Sequence, residues 1–201
     1  MQRLVNCPAL SISKVRGRAW AQGFEFALAT DMIFASKEKA KFSLVKVGGG
    51  SIPGGGGVEW LSNLCGRARA LEIVLNADEY GAELGERYGF VNRAVADDEL
   101  DDFVDRFARH IASFPKRSLY IGKKLVNARA YAPSEATLFT SNYMLHPYFF
   151  AKSEKYFSNR SPLYTKPAEV DNPAPAPITM ASAVSISFLS LSSCSTLLPL
   201  P

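Results

Sequence analysis

A chain of 201 residues, 47% hydrophobic and 21% charged, is long enough to bury one sizeable core and has the composition of an ordinary soluble globular domain. The net charge is +4 with no run of basic residues, which excludes a nucleic-acid groove while suiting an anionic small ligand. Three cysteines (Cys7, Cys65 and Cys194) are scattered and odd in number, with no CxxC or Cys/His spacing, so they read as free thiols of a reducing compartment, with no metal site. The opening MQRLVNCPAL has no long apolar stretch of a secretory signal. Cytoplasm is the default compartment, with mitochondrion and peroxisome left open.

Residues 9–16, ALSISKVR, alternate as a strand does. Lys14, Arg16 and Arg18 then share one face at period two. That row is either a solvated strand face or a contact for a ligand's phosphates. From Val15 to Gly23 the strand runs into a turn of small residues, and a helix pattern follows with Phe24, Ala27 and Leu28 on one face. Glu25 falls in the first turn of that helix. It either complements the helix dipole or, beside the free N–H groups of the helix start, moves a proton next to an activated carbonyl.

Asp31–Ser36 reads as a short strand and Ala40–Leu44 as a second extended run. Seven glycines then fall within residues 48–57, requiring positive φ or close backbone approach more than once. No Gly-Lys-Ser/Thr follows and no GxGxxG spacing is present, so neither a phosphate loop nor a dinucleotide fold is indicated. The glycines shape a turn into a helix and one wall of a pocket.

Residues 58–76 read as two short helices broken at Gly66, with Leu71, Val74 and Leu75 as the second apolar stripe. Ala82–Tyr88 is a helix capped by Gly89, and Phe90–Val95 a strand. Asp97 and Asp98 offer an N-cap to a helix whose stripe is Leu100, Val104, Phe107 and Ile111. His110 is read as a surface residue. After Pro115 helices are expected from about Lys116 to Tyr131 and from Pro133, followed by the aromatic run Tyr148-Phe149-Phe150. Beyond about Pro162 the character changes. Residues 172–177 read as a polyproline-like linker, and residues 178–201 carry no charge and seven serines. Such a segment is expected to be a disordered tail and not a membrane anchor. The organisation is therefore a core over residues 1–114, a helical region over 115–162 and a linker with low-complexity tail over 163–201.

The ordered set RGRAW-x-x-G-F-E-x-A-L-A-x-D-x-x-F-A, A-K-F, V-G-x-G-x-I-P-G-G-G-G, L-C-G-R-A-R-A-L-E-I-V-L and A-E-x-x-G-E-R-Y-G-F-V-N-R-A-V, spread from about Pro8 to about Val126, resembles the enoyl-CoA hydratase/isomerase, or crotonase, superfamily. The resemblance implies an α/β fold of the crotonase ββα-spiral type with C-terminal helices, here without its N-terminal part. It implies an acyl-CoA thioester as partner, coenzyme A being part of the substrate with no separate cofactor, and a homo-oligomer (a trimer or dimer of trimers), with no nucleic acid and no membrane. By the same resemblance Glu25 is the acid/base, the Gln22 N–H is one oxyanion donor, and Gly23, Gly54 and Gly55 approach the substrate. The second glutamate of hydratases falls at Lys46. An ammonium there would hold Glu25 as the carboxylate and make it a poorer acid near neutral pH. The other oxyanion donor belongs to the absent N-terminal part. The expectation is proton shuttling with negligible hydration, or alternatively an inactive subunit partner.

Overall fold

The computed structural model describes residues 1–130 and 184–189, the latter as backbone. A short helix α1 (Gln2–Val5) precedes β1 (Leu10–Val15), where the sequence reading has the chain open almost directly on a strand. There follow β2 (Arg18–Trp20), α2 (Gln22–Leu28), β3 (Met32–Ser36) and β4 (Lys41–Ser43). A single 3₁₀ turn (Val47–Gly49) leads into α3 (Gly57–Asn76), β5 (Tyr80–Gly81), α4 (Ala82–Tyr88), β6 (Arg93–Val95), α5 (Leu100–Ala112) and α6 (Lys116–Arg129). A last strand, β7, spans Val184–Leu189.

Two small sheets result. One has the order β6-β3-β1-β7 and the other β2-β4-β5. β1, β3 and β6 run parallel, as crossover connections through helices require. β3 shows why both faces of its sheet are covered. Ile33 and Ala35 join a core cluster with Val15, Phe24, Leu28, Phe42, Leu44 and Leu61, which draws on both sheets, α2 and α3. Phe34 points to the other face, against Ile12, Val95, Leu100 and Val104. The alternation is the strand period of two. The α5 stripe is thus core, with Phe103 and Phe107 stacking edge-on against Phe34.

The chain departs from the sequence reading in four places. The expected structureless tail holds a strand at 184–189, paired antiparallel to β1 from Leu10↔Leu189 to Val15↔Val184. Val184, Ile186 and Phe188 alternate with small residues and carry no charge, a pattern that suits an extended partner for the β1 edge left open opposite β3. The rest of residues 163–201, and the helices and aromatic run expected at 133–150, lie outside the described residues. Second, Asp97 and Asp98 do not cap α5. Glu99 holds the cap position without a side-chain bond, because Asp97 is drawn to Arg16 (2.9 Å) and Lys39. Third, the Gly66 break is real, with φ 74° and ψ 165° inside α3, but it rotates the second half. Ala70 and Ile73 face inward, while Leu71 and Leu75 are exposed. Fourth, the strand expected at Phe90–Val95 is ordered as strand only from Arg93.

Candidate active site

The Glu25 carboxylate is fully buried, and its surroundings are built by three separate elements. The first is the turn into α2. Ala21 donates its N–H to the Ser43 carbonyl of β4 (2.9 Å) and accepts the Glu25 N–H (3.1 Å), which fixes the first helical turn on the second sheet. Ala21 has φ 49° and ψ −117°, a backbone conformation that disfavours a side chain. Gln22 and Gly23 open the helix, where N–H groups have no intrahelical acceptor. A Cβ on Gly23 would meet nothing within 4 Å, so this face of the turn is open.

The second element is the turn that carries Lys46. Its carbonyl accepts N–H groups from Gly49 (3.1 Å) and Ser51 (2.9 Å), which closes the loop around it. Its Nζ lies 2.6 Å from Glu25 Oε2, with the lysine side chain 17% exposed. The third is the glycine run at the start of α3. Gly55 donates its N–H to Glu25 Oε1 at 2.7 Å and Gly57 does so at 3.2 Å. A Cβ at Gly55 would sit 3.0 Å from Glu25 Cδ and Oε2, and one at Gly57 3.0 Å from Glu25 Cγ. Glycine is required at both because the carboxylate occupies the space a side chain would take. Two backbone donors and one ammonium compensate the buried charge.

The structure therefore brings Glu25, Lys46 and Gly55 into one hydrogen-bonded group, with Gln22 and Gly23 in the same helical turn as Glu25. It gives Gly55 a different immediate partner from the expected ligand, since its N–H is engaged by the carboxylate. Gly54 is buried. The cations Lys14, Arg16 and Arg18 face acidic partners at the surface. Lys14 pairs with Asp101, Arg16 with Asp97 and Asp101, and Arg18 with Glu79 at 3.2 Å. The Lys39, Ser36 and Arg16 donors hold the Asp97 carboxyl down at about 2, a purely structural effect at the mouth of α5.

A second largely buried lysine–carboxylate pair has no signal in the sequence. Lys123 on α6 lies 2.8 Å from Asp31 Oδ2 and 2.9 Å from the Ala9 carbonyl. Asp31 also accepts the Ser11 N–H (2.7 Å) and hydroxyl (3.0 Å). Nothing in the spacing of residues 31 and 123 signals this contact. A shallow cavity of about 200 Å³ between α1 and α6 is lined by Cys7, Tyr120, Lys124 and Asn127 among others, and its walls include none of Gln22, Glu25 or Lys46. Burial pushes the Cys65 thiol up to about 11, which makes it a poor nucleophile. Among the described residues no three His, Cys, Asp or Glu side chains gather as metal ligands. No described helix is long and apolar enough to cross a membrane.

Comparison with known proteins agrees with this architecture. A crystal structure from Streptomyces avermitilis, provisionally described as an enoyl-CoA hydratase, superposes with a TM-score of 0.75 at 38% identity, over 85% of this chain and 60% of that one. The 1,2-epoxyphenylacetyl-CoA isomerase of Escherichia coli (strain K12) is 33% identical over 128 residues, 64% of this chain and 48% of the isomerase. A mitochondrial enoyl-CoA hydratase of Pongo abelii is 34% identical over 117 residues, 58% of this chain and 40% of that protein. The chain thus spans about half the length of the curated relatives it matches. The enoyl-CoA hydratase/isomerase family model matches residues 1–164, and with the α/β fold and the ordered motifs in place, the chain belongs to that family.

Proposed function

We propose that this chain binds an acyl-CoA thioester and moves a proton at its α-carbon through an oxyanion-stabilised enolate, with Glu25 as the acid/base. Coenzyme A enters as part of the substrate, and no other cofactor is required. The carrying observation is the Glu25 carboxylate itself: fully buried, held by Gly55 and Gly57 N–H groups, and set in the first turn of α2. A desolvated carboxylate held rigid beside an open helical turn is suited to proton transfer. The Gln22 N–H, three residues earlier in the same turn, is the oxyanion donor in this reading. Membership of the family and likeness to a named isomerase support the choice of substrate class.

Hydration needs a second group to activate water, and here an ammonium stands against Glu25 at 2.6 Å. Lys46 as the cation is no base, so isomerisation or α-proton exchange is the reaction favoured over hydration. The same contact favours a second reading, in which Lys46 occupies the oxygen that would accept the proton and the chain binds thioesters without turning them over. One experiment separates these outcomes. The full chain is given a 3-enoyl-CoA, crotonyl-CoA, and an acyl-CoA in deuterated water. Isomerisation or deuterium wash-in that disappears in Glu25→Gln, with no hydration, is the expected result. Binding with neither reaction favours the inactive partner. Hydration undiminished by Glu25→Gln overturns the assignment of Glu25. In the same reading the region beyond Pro115 assembles the chain as a homo-oligomer. Sedimentation tests this, and a sharp monomer at high concentration counts against it.

A further inference from the structure

The contact between Lys46 and Glu25 has the parts of a nucleophile and its base. Lys46 Nζ is 2.6 Å from Oε2 of a carboxylate that has no exposure, while the lysine side chain keeps 17% of its own. Among the described residues Nζ has one acceptor, Glu25. The backbone of Lys46 is fixed by the two N–H groups its carbonyl accepts. Glu25 Oε1 is held independently by Gly55, so Oε2 is free to exchange a proton with the lysine without losing its place. A lysine that passes its proton to a carboxylate within hydrogen-bond reach presents an amine, a recognised nucleophile toward carbonyl carbon.

From this we infer that Lys46 is an acyl acceptor: an acyl-CoA thioester bound at this site transfers its acyl group to Lys46 Nζ. The inference rests on the proposed reading that the site takes acyl-CoA thioesters. The ammonium gives one proton to Glu25 Oε2. The amine lone pair forms a C–N bond to the thioester carbonyl carbon, and the oxyanion that results collapses with cleavage of the C–S bond. Glu25 returns its proton to the departing thiolate, and the nitrogen releases its second proton to solvent. The products are an amide on Lys46, free coenzyme A thiol and one proton, with no oxidant or reductant involved. Acylation also removes the cation from Glu25. The carboxylate is left on its two backbone donors, and the modified chain has a differently charged site from the unmodified one.

The test uses the full wild-type chain with crotonyl-CoA and, separately, acetyl-CoA. Peptide mass mapping follows the acyl group, thiol release follows coenzyme A, and calorimetry follows binding. The expected result is one acyl group per chain at Lys46, formed at least about 10-fold faster than on the exposed Lys37 and Lys124, and slowed about 100-fold in Glu25→Gln. Lys46→Arg serves as the charge-preserving control, and it should bind thioester while releasing no thiol. Thioester binding with no label on Lys46, or equal labelling of all lysines, overturns the inference and leaves the proposed substrate class standing. Absence of both binding and label removes the substrate class and the inference together.

Discussion

Two largely buried lysine–carboxylate pairs lie among the described residues, and they are built in opposite senses. In the pair on α2, the carboxylate of Glu25 is fully buried and the lysine is the partner nearer to solvent, at 17% exposure. In the pair that ties α6 to the start of β3, the lysine is the deeper partner, with Lys123 at 5% and Asp31 at 14%. Lys123 has a second acceptor, the Ala9 carbonyl, and Asp31 Oδ2 takes both donors of Ser11. Such a pair joins three segments: the β1 approach, the β3 approach and α6. Lys46 has one described acceptor, and the backbone donors are on the carboxylate side, leaving the ammonium as the movable half. A network shared by three segments specifies structure, whereas a carboxylate gripped from behind with a single labile partner in front is the arrangement the proposed proton transfer uses.

Substitutions break or sharpen this contrast in a definite order. Lys46→Met should have the largest effect, about 3–5 kcal/mol lost in urea denaturation, because it strands a carboxylate with no solvent access. A loss no greater than that of an exposed pair would show that the ammonium is not what compensates Glu25. Lys123→Met should follow at about 3 kcal/mol, the low end of the same range, since Asp31 keeps its Ser11 donors and some water. Its signature differs: faster hydrogen exchange in α6, with thioester binding unaltered. Gly55→Ala comes next, at about 1–3 kcal/mol, because the new Cβ must displace Glu25 from 3.0 Å. Proton exchange at the substrate α-carbon should fall more than stability does. Retained stability with retained exchange would mean the carboxylate relocates freely.

The smallest effect calibrates the buried pairs against a surface network. The Asp97 carboxyl is held at about 2, against 3.8 for a free aspartate, chiefly by the Lys39 hydrogen bond. A lowered folded value contributes stability that is complete above 3.8 and is lost as pH falls through about 2. Asp97→Asn should therefore flatten the acid limb of the stability curve in that window, its small loss of stability being present at neutral pH and vanishing as pH falls below about 2. An acid limb as steep as that of the unsubstituted chain, or a loss that persists below about pH 2, would contradict the assignment of Asp97 to this network.

Much of this was legible from residue order because it depends on local periodicity. Phe24, Ala27 and Leu28 fall on the inner face of α2, the Leu100 and Val104 stripe is buried, Gly66 breaks α3 and Gly89 ends α4. Each is a matter of helical repeat or of a backbone angle that one residue type accepts. The stripe at Leu71 and Leu75 was misread because the kink at Gly66 changes which face of the second half meets the core, an outcome no window within one helix contains. Of the Lys14, Arg16 and Arg18 row only Lys14 lies in β1, Arg16 follows the strand and Arg18 opens β2 in the other sheet, and the partners Asp97, Asp101 and Glu79 come from elements far along the chain.

By itself the amino-acid order determined the α/β class, the family motifs, the first-turn position of Glu25 and the need for glycine before α3. These follow from spacing along one strand, helix or loop, where neighbours in sequence are neighbours in space. Only the tertiary structure decided that Gly55 and Gly57 give their N–H groups to Glu25, that Lys46 meets the same carboxylate, that Lys123 reaches Asp31, and that residues 184–189 pair with β1. Those contacts join residues from 21 apart, Glu25 and Lys46, to as far apart as Leu10 and Leu189. Their energies come from desolvating charge and satisfying backbone donors, quantities that exist only once the intervening chain has excluded water.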